Sequence, residues 1–181
     1  MRKIVAGLHM SLDGVIESPE KWSFDFYCDE VGQSIKSRRD ATGTLLLGRR
    51  TYEEFAAIWP GQNGEIADFM NNTPKLVAST TLTSVDWSGA TLLPLLDGDV
   101  AAALTALKQE PGDNITITGS ATLVRSLVHA GVVDELHLMV CPIVVGSGKR
   151  LFDDDGKRTP LRLAASETFP TGVVHLTYQP V

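Results

Sequence analysis

The sequence predicts an α/β domain: a mainly parallel sheet covered by helices on both faces, closed by a C-terminal antiparallel hairpin. Three observations predict it. Short apolar β-runs alternate with helix-length segments along the whole chain. Thr44-Leu45-Leu46-Leu47 is a continuous run ending at Gly48, as in a parallel strand buried on both faces. The last two β-runs are joined by Pro170-Thr171-Gly172, a tight-turn sequence. The 181 residues show no composition break, internal repeat or low-complexity segment, so one domain is expected over 1–181.

Each element follows in order. Ile4 to Leu8 is a short first strand, and an aromatic-containing loop through Trp22 leads to a helix over roughly Asp25 to Arg39. Thr44 to Leu47 is the second strand. A helix is expected from Thr51, where Thr51-Tyr52-Glu53-Glu54 has the spacing of a capping box. A short helix over Glu65 to Met70, a strand over Leu76 to Ser79 and a short strand near Thr91 to Leu93 come next. Asp99 is placed to cap a helix running to Leu107. Ile115 to Thr118 is a strand, and Gly119-Ser120 opens a helix over Ala121 to Ala130. That helix carries Leu123, Val124, Leu127 and Val128 on one face. Asp134 to Val140 is a strand, followed by a glycine-punctuated loop from Pro142 to Gly148. The hairpin pairs Leu161 to Phe169 with Val173 to Tyr178.

Composition narrows the function classes. The chain is 43% hydrophobic and 21% charged, a globular mixture. Its 16 basic and 22 acidic residues give a net charge of -6 and no concentrated basic face, which argues against a nucleic-acid partner. Cys28 and Cys141 read as reduced, buried residues. No apolar run approaches the ~20 residues that span a bilayer, and the start lacks a signal-peptide core. A soluble cytoplasmic protein with no membrane contact is expected.

In such a sheet, ligands bind beyond the carboxyl ends of the strands, where helix N-termini converge. Two turns have the composition of an anion site. Gly48 lets the chain turn, Arg49 and Arg50 supply charge, and Thr51 supplies a hydroxyl. Gly119 permits close backbone approach, while Ser120, Ala121 and Thr122 present N–H groups and hydroxyls. Arginine suits bidentate contact with a group such as the 2′-phosphate that distinguishes NADPH from NADH. Turn composition alone is equally compatible with two ordinary strand–helix junctions, and the G-x-G-x-x-G fingerprint is absent.

Four segments together resemble the dihydrofolate reductase-like superfamily, in particular stand-alone proteins similar to the reductase domain of riboflavin-biosynthesis deaminase/reductases. They are Ser11-Leu12-Asp13-Gly14, Leu47 to Glu53, Gly119 to Leu123, and Val133 to Leu136 continuing through Pro142 to Gly148. The resemblance implies a three-layer α/β/α dihydrofolate reductase-like fold and NADPH as cofactor. Gly48, Arg49, Arg50 and Thr51 inherit contact with the diphosphate and 2′-phosphate. Ser79, Thr80 and Thr81 inherit a second contact with the adenosine 2′-phosphate. Gly119, Ser120, Ala121, Thr122 and Leu123 lie under the pyrophosphate, and the loop from Ser11 to Ile16 lies over the nicotinamide.

The implied activity is NADPH-dependent reduction of a small pterin- or pyrimidine-type heterocycle. The alternative is an NADP(H)-binding protein that keeps the fold without catalysis; a purely structural dimer module is a third reading. True dihydrofolate reductases use an acid on the first helix. Asp25, Asp29 and Glu30 lie in the matching region, but none has the expected spacing beyond Trp22, and each also reads as a solvated helix residue.

Asp13, at the ligand end of the first strand, is the candidate catalytic residue, with a plain Asp-Gly turn as the other reading. Trp22 and Tyr27 are candidate substrate contacts that core packing would explain equally. His9 could face the site. His129, His137 and His175 show no metal-ligand spacing, and Asp153-Asp154-Asp155-Gly156 lacks the calcium-loop pattern, so no metal is expected. The zinc deaminase signature is missing. Related reductase domains commonly dimerise, which implies a homodimer with a contact at the Asp134 to Val140 strand and the loop after it.

Overall fold

The computed structural model describes residues 2–95, 98–152 and 157–181. The run Asp153 to Gly156 therefore lies outside the described residues. The strands are β1 (Ile4–Ser11), β2 (Thr42–Gly48), β3 (Lys75–Ala78), β4 (Ala90–Leu92), β5 (Asn114–Thr118), β6 (Glu135–Cys141), β7 (Leu161–Thr168) and β8 (Val174–Pro180). The helices are α1 (Asp29–Asp40), α2 (Arg49–Ile58), α3 (Glu65–Asn72), α4 (Val100–Leu107) and α5 (Ala121–His129). All eight strands join one sheet in the order β4-β3-β2-β5-β1-β6-β8-β7. The first six run parallel, and β8 and β7 form the antiparallel end.

The order has one consequence for function. The chain leaves β1 for β2, and it leaves β5 for β6 on the opposite side. Adjacent strands whose connections depart in opposite directions open a crevice at their carboxyl ends.

Strand alternation divides the side chains between two faces. On one, Ile4, Ala6, Leu8, Leu46, Ile115, Ile117, Leu136 and Leu138 pack under α4 and α5, with Leu104, Val124 and Leu127 fully buried. Burying each such side chain stabilises the fold by about 2 kcal/mol before entropy is counted. On the other face, Leu45, Leu47 and Val77 pack with Tyr52, Met70 and Trp87 beneath α2 and α3. Further along it, Met139 and Cys141 pack with Trp22, Val31, Phe169 and Val173 beneath α1.

Two expectations need correction. The first helix begins at Asp29, not Asp25: Phe24–Phe26 forms a short 3-10 turn, and Tyr27 and Cys28 are extended. Trp22 and Phe26 are drawn into the cluster around Val31, which bends the segment away from a helical path. The second helix begins at Arg49, and the capping box does not form, because Thr51 lies inside the first turn and its hydroxyl is used elsewhere. Strand β6 lies between β1 and β8 with Leu136, Leu138, Met139 and Cys141 buried. Both of its edges are paired within this chain. Only the loop after it is open, at Val144, which is 68% exposed.

Candidate functional site

The site is built at the carboxyl ends of the central strands. Because β2 and β5 are neighbours, the turns that follow them lie side by side. They are laced together: the Gly48 N–H donates to Ser120 Oγ at 2.9 Å, and the Ser120 N–H donates to Thr51 Oγ1 at 3.0 Å. Gly119 has φ +61°, and a Cβ there would meet Thr51 Cγ2 at 3.0 Å, so this closeness requires glycine. Ser120 itself is left-handed, with φ 48°.

Neither α2 nor α5 carries a side-chain N-cap, so both helices present first-turn N–H groups at this edge. The N-terminus of α4 is different, since Asp99 accepts from the N–H groups of Ala101 and Ala102 and closes it. The ends of α1 and α3 are uncapped as well, so what sets the α2 and α5 ends apart is that they lie side by side.

Charge is concentrated at the open pair. Arg49 bridges Glu53 at 3.2 Å, whereas Arg50 is exposed with no ion pair among the described residues. Lys149 arrives from the loop after β6 and donates to Thr122 Oγ1 at 2.9 Å. Its sequence position gave no sign of this role. Ala121 is buried and Leu123 packs against the core below, while Thr122 is exposed. Ser79 follows β3, beside β2, and its Oγ accepts from the N–H groups of Thr81 and Leu82. Thr80 and Thr81 are exposed on that turn. The cradle, with its uncapped N–H groups, arginines and lysine, fits the phosphates of a dinucleotide.

Asp13 is occupied differently from the role expected of it. Its carboxylate accepts from Ser11 Oγ at 2.7 Å and from the N–H groups of Val145 and Gly146 at 3.1 and 2.9 Å. Arg150 lies 3.7 Å away. The Ser11 and Val145 hydrogen bonds hold the Asp13 carboxyl down at about 2. It is a clamp between two loops, ionised at neutral pH. The same loops are joined by the Val15–Arg150 bridge and by the Ile16 N–H donating to Lys149 O. A Cβ at Gly148 (φ +123°) would strike Val15 Cγ1 at 2.9 Å. This zipper delivers Lys149 to Thr122, beside the two turns.

Between α1 and α2, the sheet face changes character. Gly7, His9, Thr116 and Thr118 are half-buried, while their strand neighbours Ala6, Leu8, Ile115 and Ile117 are buried on the opposite face. Solvent therefore reaches the middle of the two central strands from one side only. Gly7 is paired with Thr118 and His137, and a Cβ placed on it would meet nothing within 4 Å. That space is the floor of a cleft.

Toward β8 the same face carries a polar layer beneath α1. His137 Nδ1 lies 2.9 Å from His175 Nε2, and His137 Nε2 lies 3.2 Å from Glu135 Oε2. Arg38 reaches down from α1 to within 3.2 Å of His175 Nε2 and 3.0 Å of Ser34 Oγ. His9 Nε2 meets the Tyr27 hydroxyl at 3.2 Å, while its Nδ1 is buried with no partner. Burial, then the charge of Arg38, pushes His9 and His175 down to about 4. His137 is lowered by the same two causes, with Glu135 opposing them.

Of the remaining candidates, Trp22 is 8% exposed and donates its indole N–H to Glu17 O. It is a core residue, not a wall of the cleft, because the chain folds it into the α1 cluster. Tyr27 is 40% exposed and sits at the cleft through His9. Asp25, Asp29 and Glu30 are all exposed. Among the described residues, no group of three or more His, Cys, Asp or Glu side chains is placed to hold a metal ion. No helix among them is long and apolar enough to cross a membrane.

The family model of the RibD C-terminal domain matches residues 2–175. The uncharacterized protein YwjB of Bacillus subtilis (strain 168) is 32% identical over 179 residues, covering 95% of both chains. YyaP of the same organism, also uncharacterized, is 27% identical over 182 residues, covering 98% of this chain and 94% of its own.

Among solved structures, a protein of Shewanella sp. PV-4 provisionally named for riboflavin biosynthesis superimposes with a TM-score of 0.72. It is 21% identical, with 99% and 98% of the two chains covered. The diaminohydroxyphosphoribosylaminopyrimidine deaminase/5-amino-6-(5-phosphoribosylamino)uracil reductase of Thermotoga maritima matches over 99% of this chain but 57% of its own. Its TM-score is 0.67, at 14% identity. Enterococcus faecalis dihydrofolate reductase, solved with NADP(H), gives a TM-score of 0.59 at 15% identity over 98% and 95% of the chains. The fold is dihydrofolate reductase-like, and the chain belongs to the RibD C-terminal domain family.

Proposed function

We propose that this protein is an NADPH-dependent reductase of a small pyrimidine- or pterin-type heterocycle. The observation that carries the reading is the laced pair of uncapped turns, with Ser120 and Thr51 tying them together and Lys149 beside them. In this reading, Gly48 to Thr51 and Gly119 to Leu123 hold the diphosphate, and Arg50 with Ser79 to Thr81 takes the 2′-phosphate. When bound, NADPH supplies a hydride. The chain's own part is to hold the heterocycle over Gly7, orient it with the polar side chains at hand, and admit a proton.

Asp13 has no proton to give at neutral pH, so its contribution is to shape the loop that lies over the nicotinamide. Asp25, Asp29 and Glu30 stand in solvent, and water entering the half-open cleft is the proton source in this scheme. The proposal extends to a homodimer with its contact in the loop around Val144, which a monomeric mass in light scattering would exclude.

Fluorescence titration tests the cofactor. Wild type is expected to bind NADPH more tightly than NADH, and Gly119→Ala to weaken NADPH by at least about tenfold through the Thr51 contact. Binding of neither nucleotide would remove the reading. A second reading, a non-catalytic NADP(H)-binding protein, draws on the ionised state of Asp13. Tight NADPH binding without oxidation across a pyrimidine and pterin panel would favour it.

A further inference from the structure

One proton arrangement that joins Glu135, His137, His175 and Arg38 puts two protons on His137 and sets two donors on the single lone pair of His175 Nε2. Glu135 Oε2 accepts, so His137 Nε2 must bear a proton at 3.2 Å. Arg38 Nη1 can only donate, so His175 Nε2, 3.2 Å away, must be bare. In that arrangement His137 Nδ1, 2.9 Å from the same bare nitrogen, supplies the second proton and competes with Arg38 for the one lone pair. The proton of His175 is left on Nδ1, facing Ser34 Oγ at 3.4 Å.

Removing one proton from His137 rearranges the set. Its bare Nδ1 now accepts from His175 Nε2–H, and His175 Nδ1 accepts from the Ser34 hydroxyl. Arg38 and His175 Nε2 become two donors at 3.2 Å, which repel, while Arg38 keeps its bond to Ser34 Oγ. Thr177 Oγ1, 3.2 Å from His137 Nδ1, adapts to either state because a hydroxyl both donates and accepts.

We propose that Glu135, His137 and His175 are positioning residues: one proton at His137 switches the tautomer of His175 and so pins or releases Arg38 beside the cleft. The functional consequence rests on reading the cleft as the substrate site, since a released guanidinium can bond what enters over Gly7. The charges around the switch oppose one another. Glu135, itself held by Lys3 at 2.8 Å, favours the second proton, while burial and Arg38 disfavour it. Glu167 on β7 pairs with His175 across the hairpin, and His9 and Tyr27 bound the far end of the layer.

Long-range proton–nitrogen spectra of the full chain, labelled at histidine, test this between pH 8 and pH 4. The expected result is that His175 changes from the Nε2–H to the Nδ1–H tautomer at the midpoint where His137 gains its second proton, below the ordinary histidine value. Glu135→Gln should lower that midpoint by about one pH unit, and Arg38→Gln, a change on α1 independent of the sheet, should raise it. A His175 that keeps one tautomer while His137 titrates would overturn the proposal, in wild type or in either variant that folds. Arginine side-chain signals recorded with NADP+ and a pyrimidine and pterin panel separate the two readings. Coupled titration with unmoved Arg38 signals supports the switch and removes the substrate-site reading.

Discussion

The two faces of this sheet are made by the same strands, yet they follow different rules. Under α4 and α5, the alternating strand residues are mostly apolar and buried, and helix and sheet meet through Leu46, Leu104, Ile117 and Leu127. Under α1, Gly7, His9, Glu135, His137, His175 and Thr177 stand on the same face as buried Val5, Met139 and Cys141, and Val31 is the buried residue of the helix above. One face is almost wholly apolar. The other keeps polar groups, an arginine and open space at the centre of the fold, where apolar packing would be more stable. A layer that stabilises less than it could is characteristic of a site kept for binding.

The contrast can be broken from either side. The largest expected effect is on the apolar face, where Leu104→Ala should cost about 3 kcal/mol in urea unfolding at pH 7. A loss under 1 kcal/mol would show that this face is not the main source of stability.

Acid should act on the polar face. His9 and His175 titrate near 4 in the fold against 6.5 unfolded, so the unfolded chain binds more protons between those values. Stability is therefore full above about pH 6.5 and falls as the pH drops toward 4, with His9 contributing on the order of 2 kcal/mol. Calorimetry across that range checks it, and His9→Gln should flatten the curve. A flat wild-type profile would mean these histidines are not buried as neutral groups.

The smallest effect has the opposite sign. Gly7→Ala places a methyl where nothing lies within 4 Å and should raise stability by about 0.5–1 kcal/mol. Destabilisation would show that the space over Gly7 is not free.

How much was legible in the sequence follows from how each region is assembled. The turns proposed for the cofactor are each contiguous, so Gly48 to Thr51 and Gly119 to Leu123 stand out before any fold is known. Their lacing through Ser120 and Thr51 does not, because it joins residues 69 apart. The polar layer is built from single residues on alternate positions of β1, β6 and β8, roofed by α1. Arg38 and His175 are 137 residues apart, and a search for metal-ligand spacing passes over such a set. A usable signal was present: Glu135-x-His137 and His175-x-Thr177-x-Gln179 place polar groups at every second position of their strands. Asp13 drew notice for its place after β1, but its partners, Val145 and Gly146, come from a loop 132 and 133 residues on.

Gly7 has a consequence for how recognition can change over time. It sits in a central strand, with an ordinary backbone conformation and nothing to collide with. A single codon change there resizes the floor of the cleft without asking any neighbour to move. On the proposed reading, substrate preference can therefore drift while the scaffold and the cofactor turns stay fixed, without passing through an unstable intermediate.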